Sequence, residues 1–178
     1  MPLPALKWAE YSREAARARV QQAIVDVVTP SWVGSIPRDF GEAAAGTMKA
    51  YQWRILWTIY IPLALVSIWH PKSPICSSTE DDGADVLQNV MHLAAAETLM
   101  CKHTVTPEQT KAFRDHISAH MDSVRVLFPG FGVPSYHTGI HIPDFMPLLG
   151  PARGWWCYPF ERLIGKLQRM KHNHKYGK

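Results

Sequence analysis

A chain of 178 residues, 47% of them hydrophobic, can bury one sizeable core, so a single domain is expected. Three scattered cysteines, Cys76, Cys101 and Cys157, with no Cys-x-x-Cys pair exclude a disulfide framework and point to a reducing, intracellular setting. The net charge of +4 is concentrated at the end: residues 161–178 carry six Lys/Arg and one Glu, against 13 basic and 14 acidic groups before them, which argues for a polyanionic partner.

Met1-Pro-Leu-Pro-Ala-Leu6 reaches Lys7 before any apolar run develops, so no secretory leader is expected. Helical spacing then runs from Leu6 to Val28, with Trp8, Tyr11, Ala15, Ile24 and Val28 as inward positions. Thr29-Pro30 ends it, because proline disfavours helical geometry in the residue before it. A loop punctuated by Pro37, Gly41 and Gly46 follows. Thr47 is the expected cap of a second helix running into the apolar segment 55–69, which Pro62 should end or kink. That segment is 15 residues long, short of the roughly 20 that a bilayer span needs. It reads as a buried core helix, with a membrane-associated role as the alternative.

Residues 70–83 form a polar, breaker-rich stretch. Helical spacing resumes from Asp85 to Met100, with Leu87, Val90, Met91, Ala94 and Leu99 inward. Thr106-Pro107-Glu108-Gln109 is the clearest start signal in the chain: an N-cap, a proline at the first helical position and a capping-box glutamine. Its helix should bury Phe113, Ile117, Met121, Val124 and Leu127, and stop at 128–134. Two shorter helices are predicted near Tyr136–Phe145 and Tyr158–Met170, separated by 147–154. No alternating strand pattern is strong, so the predicted class is mainly α.

Two histidine pairs have i, i+4 spacing, which sets both rings on one helix face and can present two imidazoles to one zinc ion. His116 and His120 flank an apolar stripe and read as ordinary surface residues. His137 and His141 are different, because Glu161 follows 20 residues later with the basic tail behind it. A zinc-peptidase reading fits that spacing but lacks its base: Thr138 stands where a glutamate would activate water. Gly139 also weakens the helix. Trp155, Trp156, Tyr158 and Phe160 read as core.

Three stretches resemble the C-terminal part of CACTA-type (En/Spm-like) DNA transposases, notably the fungal forms. They are Pro30-Ser-Trp-Val-Gly-Ser-Ile-Pro-Arg-Asp-Phe-Gly41; Gly46-Thr-Met-Lys-Ala-Tyr-Gln-Trp-Arg54 with Ile61-Pro-Leu-Ala-Leu65; and His137-Thr-Gly-Ile-His-Ile-Pro143 with Leu149-Gly-Pro151 and Tyr158-Pro-Phe-Glu-Arg162. The resemblance implies an RNase H-like domain in which two aspartates and a late glutamate hold two Mg²⁺ ions that cut a phosphodiester. It implies that Glu161 is that glutamate, that His137 and His141 are half of a structural zinc site, and that Arg162, Lys166, Arg169, Lys171 and Lys175 contact DNA. Residues 1–29 then form an N-terminal helix, 30–135 a helical insertion, and 136–178 the site-bearing end, with the sheet incomplete.

Departures from the family pattern qualify this. No aspartate follows a strand-like run, and the zinc cysteines are missing; Cys157 is the one conceivable substitute. The expectation is therefore a transposase piece, located in the nucleus or cytoplasm, that engages DNA and the rest of the enzyme but no membrane or small molecule. It should be inactive alone. A DNA-binding or interaction module without chemistry is the alternative.

Overall fold

A computed structural model describes residues 13–42, 46–69, 82–132 and 135–170. Helices account for all regular structure among them, with no strand: α1 (Arg13–Asp26), α2 (Ala50–Ile55), α3 (Ile61–Trp69), α4 (Asp82–Met100), α5 (Pro107–Leu127), α6 (Ser135–Leu149) and α7 (Tyr158–Gln168). The mainly α expectation holds. Predicted positions Trp8 and Tyr11, the side chain of Ala15 and the loop 70–81 lie outside the described residues.

α1 buries Val20, Ala23 and Ile24. Val28, expected inward, is 95% exposed, because the helix has already ended at Asp26. The following loop is pinned by side chains: Gln21 Nε2 donates to the Phe40 carbonyl at 2.9 Å, and Gln52 Nε2 to that of Ser35 at 3.0 Å. Lys49, and not Thr47, occupies the N-cap of α2. There Gln52 Oε1 accepts from the Lys49 backbone N–H at 2.9 Å, the half of a capping box that the third helical residue supplies.

Pro62 does not end its helix. A π turn over Leu56–Tyr60 links α2 to α3, and the Ile61 N–H reaches back five residues to the Leu56 carbonyl. Widening the ladder just before proline removes the clash that its ring would make with the carbonyl four residues earlier. The helical path therefore continues to Trp69. Ile55, Leu56, Tyr60, Ile61, Ala64, Leu65 and Ile68 are buried along it, which is the core-helix reading of this segment. Among the described residues no helix is long and apolar enough to cross a membrane.

α4 connects two apolar clusters. Val90 closes the first, with α1 and α3; Ala96 joins the second, with Phe113, Ile117 and Met121 of α5 and Met146 of α6. Met91, expected inward, is exposed, because one helix face cannot serve both clusters and Met91 falls outside each. α5 begins as predicted. The Gln109 N–H donates to Thr106 Oγ1 at 3.2 Å, and the Thr106 N–H to Gln109 Oε1 at 3.3 Å. Phe113, Ile117, Met121 and Val124 are buried, and Leu127 partly so.

His120, read from sequence as a surface residue, is 4% exposed and sits in the α4–α5 seam. Asn89 Nδ2 donates to the His120 carbonyl at 2.9 Å, and His120 Nδ1 lies 3.3 Å from the Asn89 carbonyl. A carbonyl only accepts, so the Nδ1 carries the proton. The Nε2 is buried without a hydrogen-bond partner. Beside it, His92 Nδ1 and His116 Nδ1 approach to 2.9 Å across the same seam. Burial lowers the pKa of both His120 and His92; a nearby histidine adds to the effect in each case, and the Asn89 hydrogen bond opposes it at His120.

Two outcomes are expected. Thr106→Ala should cost about 1 kcal/mol by leaving a helix-start N–H uncapped, measured by urea denaturation. Because His92 and His120 bind protons less readily in the fold than in the unfolded chain, their contribution is full above pH ~6.5 and declines as pH falls below it. Tm should therefore hold between pH ~7.5 and ~6.5 and drop as pH falls further, towards ~5. His120→Gln should lower Tm at neutral pH and flatten that dependence.

Candidate nucleic-acid-facing helix and histidine pair

α6 carries His137 and His141 on its exposed side. Gly139, between them, faces α5: a Cβ there would touch the mobile end of Met121, Cε, at 3.4 Å, so packing leaves room for a small side chain. Pro143 and Pro147 both lie inside α6, which runs past the predicted end at Phe145 to Leu149. Pro143 is fully buried, so packing offsets the backbone hydrogen bond it cannot donate. The stop comes at Gly150, whose φ of 75° is the left-handed conformation glycine adopts readily; its N–H donates to the Met146 carbonyl at 3.0 Å.

The two imidazoles are brought together, with ring centroids 4.9 Å apart and planes at 80°. His141 is also held by Asp144, one turn along the same helix, and through it to α5. Its Nδ1 lies 3.3 Å from Asp144 Oδ2, while Arg114 Nη2 of α5 donates to Asp144 Oδ1 at 2.8 Å. The Arg114 hydrogen bond, followed by that of His141, holds the Asp144 carboxyl below the usual range. The trio is exposed and adds little stability. It does orient one of the two rings.

After α6 the chain makes a 3-10 turn, Ala152–Gly154, before entering α7. Arg153 Nε donates to the Cys101 carbonyl at 2.8 Å, and its guanidinium lies 5.3 Å from the Trp156 ring centroid. Trp156 meets Tyr158 edge-on at 4.8 Å. Trp155, Trp156 and Tyr158 are partly buried, so the core expectation holds for them in part. Phe160 departs from it, at 64% exposed.

The start of α7 stands beside a charged cluster that sequence reading missed. Glu97 and Cys101 are one turn apart at the end of α4, with Cys101 Sγ 3.4 Å from Glu97 Oε1. Burial pushes the Glu97 carboxyl up, against the Cys101 hydrogen bond and the Arg54 charge. Burial, then the Glu97 charge, raises the Tyr158 phenol. The i, i+4 spacing of Glu97 and Cys101 was the available signal, but an apolar helix end gave no reason to expect Arg54 beside it.

α7 has no buried residue. At about 100° of rotation per residue, Phe160, Leu163, Ile164 and Leu167 fill a sector of about 100°. Arg162, Lys166 and the C-cap Arg169 fill about 60° on the opposite side, and Glu161 lies between the two stripes. The apolar four are each at least half exposed. Glu161 stands in the first turn, where its charge complements the helix dipole. Lys171 and Lys175 lie outside the described residues.

The described residues contain no group of three or more His, Cys, Asp or Glu side chains able to hold one metal ion. His137 and His141 are therefore a pair without a third ligand there, and Glu161 does not join them. Cys157, the conceivable substitute ligand, is a free exposed thiol.

Since the apolar stripe of α7 is uncovered, Leu163→Gln and Leu167→Gln should each change folding stability by no more than about 0.5 kcal/mol. Phe113→Ala should cost about 3–5 kcal/mol in the same denaturation assay.

Comparison with protein-family models, with curated proteins and with solved structures finds no match to this chain.

Proposed function

We propose that the chain is the C-terminal part of a CACTA-type, cut-and-paste DNA transposase, in which α7 faces DNA. One observation carries this reading: α7 separates a cationic stripe, a lone carboxylate and an apolar stripe around its axis, and none of them is buried by the described residues. A helix of that kind suits the late position of an RNase H-like domain. Its apolar stripe would pack on a sheet, Glu161 would reach the metal-bound phosphodiester, and Arg162, Lys166 and Arg169 would neutralise neighbouring phosphates. A DNA substrate also agrees with an intracellular, nuclear or cytoplasmic, setting.

The metal centres that the family resemblance implies fit only in part. A two-Mg²⁺ centre needs several hard oxygen ligands, and Glu161 is one carboxylate. A structural zinc site needs four ligands; His137 and His141 would supply two, and His141 already engages Asp144. The described residues therefore complete neither centre. In this reading the strand-bearing portion of the enzyme is the partner that completes both, and the chain by itself does not cut DNA. Among the described residues Glu161 belongs to no group of three metal-binding side chains, which is the observation behind a second reading, a DNA-binding module without chemistry.

Fluorescence anisotropy with a short duplex tests the DNA reading. Binding should weaken with salt, and the triple substitution Arg162→Ala, Lys166→Ala, Arg169→Ala should reduce the log–log salt slope by roughly 3. Truncation after Leu167 should abolish retention, while Glu161→Gln should leave it intact. Unchanged retention after truncation would eliminate a tail-driven contact. The purified chain should show no Mg²⁺-dependent nicking, and nicking that Glu161→Gln removes would overturn the view that the centre is incomplete. Restored cleavage on adding a strand-bearing portion of the enzyme, lost again in Glu161→Gln, would separate the transposase from the non-catalytic module.

A further inference from the structure

The histidines at the α4–α5 seam form a site distinct from α7 and from the α6 pair. His92 comes from α4 and His116 from α5, 24 residues apart in the chain, and their Nδ1 atoms are 2.9 Å apart with the rings tilted at 49°. His92 also lines a solvent-open groove, about 420 Å³ in volume, whose walls include Asp85, Gln88, Asp122 and Ser123. A pair of imidazole nitrogens in contact at the edge of a solvent-open groove has two uses. They can share one proton, or they can hold one cation.

We propose that His92 and His116 form a two-histidine clamp for a divalent first-row transition ion, Cu²⁺ or Ni²⁺ being the best match. The separation sets the preference. With metal–nitrogen bonds of about 2.0–2.1 Å, two nitrogens 2.9 Å apart subtend about 90° at the ion, whereas a tetrahedral site would hold them about 3.3 Å apart. A right angle fits square-planar, tetragonal and octahedral ions, and among these the Irving–Williams order favours Ni²⁺ and Cu²⁺ at imidazole nitrogen. The described residues supply no third ligand. Water from the groove therefore fills the remaining positions, with Asp85 and Asp122 on the walls to accept hydrogen bonds from it.

The proton balance is simple. In the metal-free pair one Nδ1 carries a proton and the other accepts it. Ion binding requires both Nδ1 lone pairs, so the donor ring moves its proton to Nε2 through solvent. Around neutral pH no proton is released; at lower pH protons compete with the ion for the imidazole lone pairs and affinity falls. Bridging α4 and α5 ties the two helices that hold the second core together, so ion binding stabilises the fold.

Ni²⁺ and Cu²⁺ titrations of the full chain test this, with Mg²⁺ as a control. An ion about 100-fold above its dissociation constant should raise Tm by roughly 5–10 °C. The rise should persist in His137→Ala/His141→Ala and vanish in His92→Gln and in His116→Gln. Glutamine can keep a hydrogen bond across the seam, and circular dichroism of both variants checks that they fold. Cu²⁺ electron paramagnetic resonance should show two imidazole nitrogens, and apparent affinity should fall at least tenfold from pH ~7.5 to ~5.5. Absence of a Tm rise in the unmodified chain overturns the proposal. So does a rise that survives His92→Gln, or one lost only with the α6 pair.

Discussion

The position of α4 between two apolar clusters is the constraint from which the rest of the molecule follows. Its first half must meet α1 and α3 through Val90, and its second half must meet α5 and α6 through Ala96. The small side chain of Ala96 packs among Phe113, Ile117 and Met121 of α5. Such close contact buries whatever polar groups line the seam, and each then needs a partner or must stay neutral. Asn89 and His120 meet that need by bonding one another's backbone carbonyls. The His92–His116 contact arises from the same approach. The chemistry at the seam is thus a by-product of how tightly two helices have to pack.

Prolines in this chain bend to that demand. Pro62, Pro143 and Pro147 all sit within helical segments where local rules expect a break. At Pro62 the ladder opens into a π turn, so the apolar run 55–69 keeps its contact with α1 and α4. In α6, Pro143 is fully buried against the second cluster. The gain from burial of this kind, about 0.8 kcal/mol for each methylene removed from water, can exceed the loss of one backbone hydrogen bond. Glycine at 150 ends α6 because it offers a left-handed turn together with a capping N–H.

The exposed end of the molecule follows a different logic. α7 departs from the body after a short anchored stretch in which Arg153, Trp156 and Tyr158 touch one another or the end of α4. Beyond it, among the described residues, Phe160, Leu163, Ile164 and Leu167 stay at least half exposed. An uncovered apolar stripe opposite a cationic one is costly in water unless a second surface receives it. In the proposed transposase reading, the apolar stripe of α7 would meet a sheet and its cationic stripe a DNA duplex. His137 and His141, exposed on α6 and steered by Asp144, stand on a separate helix from Glu161.

Much of the helical framework was legible in the sequence, since its signals act within a few residues. Thr106-Pro107-Glu108-Gln109 closes its capping box by local hydrogen bonds, and the stripe Phe113, Ile117, Met121, Val124 follows from helical periodicity alone. The partition of charge into residues 161–178, and the side of α7 on which it falls, are equally local. Only tertiary structure decided which histidine of the i, i+4 pair His116 and His120 would be buried, because the answer depends on Asn89 and His92 from another helix. It alone tied His141 to Arg114 through Asp144, across 30 residues, and left Phe160 in solvent where aromatic content suggested core. Spacing along one helix fixes which side chains share a face; what that face meets is set by the helices that pack against it.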